Sequence, residues 1–251
     1  MNALGPETVL LVFVLFCRIG GCLMLMPGFS SPRVPVQIRL FIAISVTLAL
    51  TPVLLPTVRA TVPQPDLSLM VALIVGETLT GALIGMMGRV FFLALQFMAS
   101  AVAMFCGYGG MPGAAIDENE PSPPLASLVT ITATVLFFTT EQHWEVLRGL
   151  TQSYTVMPIA MAMGIDMGLS QLADALSDAF FLTLQICSPF VVYALIINLM
   201  FGLANKLTPQ VPVYFVSLPF VLAGGLLLLY FTVGEALRLF IEGFASWMLR
   251  V

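Results

Sequence analysis

Long apolar runs, separated by short clusters of proline, glycine and charge, set the pattern of this chain. The runs are Thr8–Met26, Leu40–Val58, Leu67–Cys106, Leu125–Thr140, Ala179–Ala204 and Val213–Trp247. A helix that crosses the ~30 Å hydrocarbon core of a bilayer needs about 20 apolar residues, so the pattern predicts an all-α membrane-associated protein. Several runs fit a plain span badly. Leu125–Thr140 is short, whereas Leu67–Cys106 is far too long and is interrupted by Glu77 and Arg89. The last run carries Glu235, Arg238 and Glu242 in its final turns, so its apolar part ends near Gly234.

Prolines bracket these runs. Pro27, Pro32 and Pro35 are expected to end the first and Pro52 and Pro56 the second, while Pro63 and Pro65 precede the third. Proline lacks a backbone donor and pushes the residue before it out of the α region, which makes these positions turn or kink marks. Pro189 and Pro219 fall inside the last two runs and predict kinks there. Between the fourth and fifth runs, TEQHWEVLRGL with His143 and Trp144 suits an interfacial helix, and Asp166, Asp174 and Asp178 follow in an amphipathic stretch. Glu141–Ser177 is therefore expected outside the hydrocarbon-like core. With alternating spans, Arg33, Arg39 and Lys206 fall on one side and Arg59, Arg148 and Arg250 on the other. That tie gives the positive-inside rule no vote. It is what helices without an ordinary spanning topology would produce.

Composition sharpens the membrane reading. The 251 residues are 59% hydrophobic and 9% charged, against roughly 25% charged in soluble domains. A net charge of −4 without a basic patch gives no footprint for nucleic acid. Pro6 and Glu7 stand where a cleaved signal would carry cations, so the first run is kept in the fold. Cys17, Cys22, Cys106 and Cys187 lie in or beside apolar runs without a CxxC pair, and read as small buried hydrophobes.

Catalytic constellations are missing. His143, the single histidine, lies between Glu141 and Glu145, but spacings of two do not gather side chains on one helical face. No HExxH or cysteine cluster offers a metal site. There is no serine–histidine or paired-aspartate arrangement at membrane depth and no phosphate-cradling glycine loop. The expectation is a protein with no catalytic residues, no metal and no cofactor.

Charges at membrane depth are functional candidates because they are costly in lipid. Arg18, Glu77 and Arg89 are such positions, expected to be buried for packing or inter-subunit contact, with a proton relay as the alternative. Glu77 and Arg89 are separated by about 120° around a helix and should not pair, whereas Arg18 could reach Glu77 from a neighbouring helix. Glu77, Gly81 and Gly85 step by four in GETLTGALIG, and Gly20 and Gly21 follow Arg18. Small residues at that spacing let two helix backbones approach closely.

The stretch FCGYGGMPGAAIDENEPSPPL, Phe105–Leu125, stands apart. Gly107, Gly109, Gly110 and Gly113 supply backbone freedom, and Pro112, Pro121, Pro123 and Pro124 prevent a continuous helix. Asp117, Glu118 and Glu120 prefer water to lipid. Irregular, polar backbone among apolar helices is stable only where protein or a water-filled cavity satisfies it. An exposed inter-span loop is the alternative. A small-solute secondary transporter or channel would fit an apolar chain too, but it calls for internal repeats and paired polar breaks, of which only Glu77 is found.

Four blocks carry a resemblance: CRIGGCLMLMPGFSSPRVPVQIRL, GETLTGALIG, the glycine-rich loop with Asp117, and INLMFGLANKLTPQVPVYFVSLPFVLAGG. In this order, over essentially the whole chain, they resemble the FliR/SctT family of type III secretion export-gate proteins. Asn205-Lys206-x-x-Pro209-Gln210 followed by Pro219 is the most specific signal. One departure is that Asp117 is followed by Glu118, where the family loop commonly has proline. The resemblance implies a bundle of long kinked helical hairpins, with a FliP-like part over 1–171 and a FliQ-like hairpin over 172–251 turning at Asn205–Pro212. It also implies one copy of the chain in a helical export-gate cone with FliP-like and FliQ-like subunits, together with FlhB-like and FlhA-like proteins. Unfolded flagellar subunits would pass through that cone, in the bacterial inner membrane at the flagellar basal body or in a virulence injectisome. The loop Gly107–Pro124, with Gly107, Tyr108, Gly109, Gly110, Met111, Gly113, Asp117, Glu118, Glu120 and Pro124, would then be a plug, and Asn205, Lys206, Pro209 and Gln210 the hairpin turn. Met98, Met104 and Met111 would lie near the plug, where pliable thioethers can close around a passing chain.

Overall fold

A computed structural model describes residues 5–31, 34–61, 67–108, 123–159, 165–208, 210 and 213–248. Over these residues the chain is an all-α membrane protein without strands. Its helices are α1 Pro6–Leu25, α2 Val36–Thr61, α3 Leu67–Phe105, α4 Pro124–Thr139, α5 Gln142–Val156, α6 Ile165–Leu207 and α7 Val213–Met248. Five helices are long and apolar enough to cross a membrane, and α4 with α5 makes a sixth if that bent pair is one span. With 39, 43 and 36 residues, α3, α6 and α7 exceed the requirement. At 1.5 Å per residue they run about 58, 65 and 54 Å, against a bilayer core of about 30 Å.

Two expectations about boundaries are corrected. Pro52 and Pro56 do not end the second run; both lie inside α2. Each proline removes one helix hydrogen bond, and both occupy exposed positions of a helix whose buried contacts come from Ala43, Thr47, Leu54 and Val58. Nearby Thr47 and Thr51 bond back to the carbonyls of Ala43 and Thr47, each at 2.7 Å. The acidic stretch before Ala179 is also not separate, since α6 begins at Ile165. Asp174 and Ser177 face outward while Ala175 and Ala179 are buried, so one helical period runs through both parts.

The chain divides into two compact units. The first comprises Met1–Phe91, Glu141–Ser177 and Ala245–Val251. Its core joins Leu11, Val14, Leu15, Ile19 and Leu23 of α1 to Ala43, Leu54 and Val58 of α2, Met70 and Leu73 of α3, and Tyr154 and Ile159. The α1–α2 connection is braced by Arg39, which donates to the Val34 carbonyl at 3.0 Å and the Ser30 carbonyl at 3.3 Å. Within α5 the buried positions Val146, Gly149, Leu150, Ser153 and Tyr154 form one stripe. Its middle meets the last residue of α7, because a β-carbon at Gly149 would lie 3.1 Å from the Met248 carbonyl oxygen.

The second unit comprises Phe92–Thr140 and Asp178–Phe244. Phe92 stands edge-on to Phe137, Phe240 and Phe244, with ring centroids 5.8, 5.2 and 6.1 Å away. Such geometry sets the positive ring edge against the negative face. Large apolar side chains on α6 and α7 nevertheless point outward: Phe181, Leu195, Leu199, Phe220, Tyr230 and Phe231 are each more than half exposed. Water does not tolerate so extended an apolar surface, so lipid or other protein covers it.

Candidate functional site

The described part of the glycine–proline stretch starts at the end of α3, which closes through a regular left-handed cap. Gly107 has φ +82, the conformation that glycine adopts without a Cβ penalty. Its N–H bonds the Met104 carbonyl at 3.1 Å, and Tyr108 N–H bonds the Ala103 carbonyl at 2.8 Å. These paired bonds are the Schellman arrangement, which satisfies carbonyls that a helix end leaves unpaired. The cap is seated on α7: a β-carbon at Gly107 would touch Val221 and Leu222, each at 3.4 Å. One helical turn further along α7, Gly225 lies against Cys106, leaving no room for a side chain. Beside it, the Tyr193 hydroxyl donates to the Val221 carbonyl at 2.8 Å.

A cleft of about 480 Å³ opens beside this cap. Met104, Phe105 and Gly107 form one wall; Ala194, Ile197, Asn198, Phe201, Gly202 and Asn205 of α6 form another; Ser217, Leu218 and Val221 of α7 complete it. The root of the loop and Asn205 thus share one cavity. Asn205 and Lys206, expected in the hairpin turn, lie instead in the last turn of α6, which runs to Leu207. Lys206 and Gln210 are exposed and do not line it. Pro124 is the exposed first residue of α4. Gly109, Gly110, Met111, Gly113, Asp117, Glu118, Glu120 and Pro209 lie outside the described residues.

A buried charge knot occupies the first unit. Arg18 of α1 is 1% exposed and Glu77 of α3 is 3% exposed. Arg18 Nε donates to Glu77 Oε2 at 2.5 Å and Nη2 to Oε1 at 2.9 Å, a bidentate pair. The remaining contacts go to the end of α5. Nη1 donates to the Ser153 carbonyl at 3.1 Å and to Ser153 Oγ at 3.2 Å, and Nη2 reaches the Met157 carbonyl at 3.0 Å. The Tyr154 ring covers the guanidinium, its centroid 4.1 Å from Cζ. In so apolar a setting each charge requires the other, because an unpaired buried ion is strongly destabilising.

Small residues make this pairing reachable. A β-carbon at Gly81 would overlap the Arg18 carbonyl oxygen, and at Gly21 it would lie 2.9 Å from the Thr78 carbonyl oxygen. Backbone contact between α1 and α3 therefore sits one turn from Glu77. Arg89 is not buried within this chain, which leaves inter-subunit contact as its expected role. It is exposed, because it sits just past Met87 and Gly88, which take the buried side of α3. Ser153, Tyr154 and Met157 are participants that sequence reasoning missed. The signal available was the 3–4 spacing of Val146, Leu150, Ser153, Tyr154 and Met157. Among the described residues no three His, Cys, Asp or Glu side chains converge to hold a metal ion.

Comparison with known proteins follows the same outline. The family of bacterial export proteins, family 1, matches residues 9–247. The flagellar biosynthetic protein FliR of Caulobacter vibrioides is 26% identical over 231 residues, 91% of each chain. The protein of that name from Aquifex aeolicus is 25% identical over 236 residues, 91% of this chain and 88% of its own. The Escherichia coli one is 24% identical over 207 residues, 81% and 76% respectively.

Proposed function

Because the chain belongs to the bacterial export proteins, family 1, we propose that it is a structural and gating subunit of the flagellar protein-export channel in the bacterial inner membrane. The observation that carries this reading is a mismatch of surfaces and lengths. Helices of about 54–65 Å with outward apolar side chains overshoot a bilayer core of about 30 Å, yet still require apolar cover. Sister subunits that continue the helical wall supply that cover where lipid does not reach. The partners are FliP-like and FliQ-like subunits, with FlhB-like and FlhA-like proteins alongside, and the cargo is unfolded flagellar subunits. In this reading 1–171 acts as the FliP-like part and 172–251 as the FliQ-like hairpin.

The loop Gly107–Pro124 acts as the plug. Its root lies at the cap of Gly107 beside the cleft, and the glycines, prolines and acidic residues that follow in the sequence suit a water-filled conduit better than lipid. The chain's own part in export is positional; energy comes from elsewhere in the machine. The test is deletion of Gly107–Pro124 in cells that otherwise export flagellar subunits. The assembled complex should persist while the membrane becomes permeable to small solutes. Unchanged permeability with normal assembly would remove the plug, and export that continues normally without the whole chain would remove the channel role.

A further inference from the structure

Among the described helices α5 is the least apolar, yet its C-terminal end lies buried against α1 and α3 in the first unit. A helix end leaves carbonyls without partners and carries partial negative charge, which an apolar environment penalises. The Met157 N–H takes up the Ser153 carbonyl at 2.8 Å, but the Met157 carbonyl and the second lone pair of Ser153 need other donors. Arg18 supplies both.

We propose that Arg18 is a tether for α5: a built-in guanidinium that the helix's C-terminal carbonyls bind as a ligand, with Glu77 as its neutralising counter-charge. The hydrogen-bond division supports this. Of the five bonds that Arg18 makes in this knot, two go to Glu77 and three to Ser153 and Met157. A pair serving only charge balance would not need the α5 acceptors. Only a planar fork reaches a carboxylate on one side and two separate carbonyls on the other; an ammonium is a single point of donation. The middle of α5 is held independently where Gly149 meets Met248. Loss of the Arg18 donors is therefore read in the half of α5 that follows Gly149, which then keeps only its apolar packing at Leu150 and Tyr154.

The test is hydrogen exchange on the full chain within its detergent-extracted assembly, comparing Arg18→Lys and the double variant Arg18→Met/Glu77→Leu with the unaltered protein. Both variants keep the α1–α3 contact electrically balanced. The tether predicts that amides over 150–157 exchange roughly ten-fold faster or more in both, as expected when buried carbonyls lose their donors, while α1 and α3 keep their protection. If 150–157 stays as protected as before, Arg18 serves only Glu77 and the proposal fails. If protection falls equally over α1, α3 and α5, Arg18 supports the core in general and the proposal fails as well. Where the variants accumulate poorly, Arg18→Ala is expressed with methylguanidinium or methylammonium. Recovery of the chain with the first alone supports the tether; recovery with both, or with neither, overturns it.

Discussion

Replacing Gly81 by alanine tests how tightly α1 and α3 are joined at the charge knot. A β-carbon there would overlap the Arg18 carbonyl oxygen and lie 2.8 Å from its carbon. Ordinary carbon contacts lie near 3.5–4.0 Å, so the two backbones must part by roughly an ångström. Overpacking of this kind costs about 1–3 kcal/mol, while alanine's better helix propensity returns about 1 kcal/mol. The same displacement lengthens the Arg18–Glu77 bonds one turn away, now 2.5 and 2.9 Å. Complete loss of one partner of a buried pair costs about 3–5 kcal/mol, so partial lengthening brings the net loss to about 2–4 kcal/mol. Gly76 is the control on the same helix, because a β-carbon there meets nothing within 4 Å. Gly76→Ala gains the same propensity without the clash, so the gap between the two is about 3–5 kcal/mol. Thermal unfolding of the detergent-extracted assembly, followed by loss of soluble chain, should place Gly81→Ala roughly 6–20 °C below Gly76→Ala. If the two variants melt within about 2 °C of each other, α1 and α3 are not in backbone contact and the geometry of the knot is wrong.

Glu77→Ala leaves Arg18 buried without its counter-charge, about 3–5 kcal/mol, so immunoblots of extracted membranes should show much less assembled complex; normal amounts would refute the pairing. Gly107→Ala forces a side chain into φ +82, at about 1 kcal/mol. Its β-carbon meets Val221 and Leu222 only at ordinary contact distance. Assembly should therefore be retained while solute leakage rises, and a membrane as tight as that of the unaltered strain would separate the cap from gating. Gly149→Leu should destabilise more than Gly149→Ala, because even a β-carbon already crowds Met248; equal melting temperatures would argue against that contact.

Much of the helical plan was readable from apolar periodicity alone. Leu67–Cys106 and Val213–Trp247 match α3 and α7 to within a residue, because each apolar run is continuous enough for the helix to pass through its internal breaks, Glu77 and Arg89 in one and Pro219 in the other. Pro52 and Pro56 misled, since a proline's penalty depends on whether its freed carbonyl is buried, and on α2 these positions are exposed. The approach of Arg18 to Glu77 could be anticipated because two opposite charges in apolar helices have few other ways to be neutralised. Arg89 could not be placed by the same reasoning: a charge's depth in a run does not say which side of the helix it takes. The 3–4 spacing marks Ser153 and Met157 as lying on the buried side of α5, but not as partners of Arg18, because they bind it largely through backbone carbonyls, which every residue possesses. The cleft at Gly107 depends on the pairing of α6 with α7, and no local pattern encodes which side of that hairpin meets the end of α3.

The central claim is that this chain's apolar helices are covered by sister subunits in an export channel. Intact mass measurement of the particle extracted in mild detergent bears on it most directly. The account predicts one copy of the 27.0 kDa chain in a larger particle with several copies of other membrane proteins. A stable, well-folded single chain of that mass, surrounded by detergent alone, would contradict it.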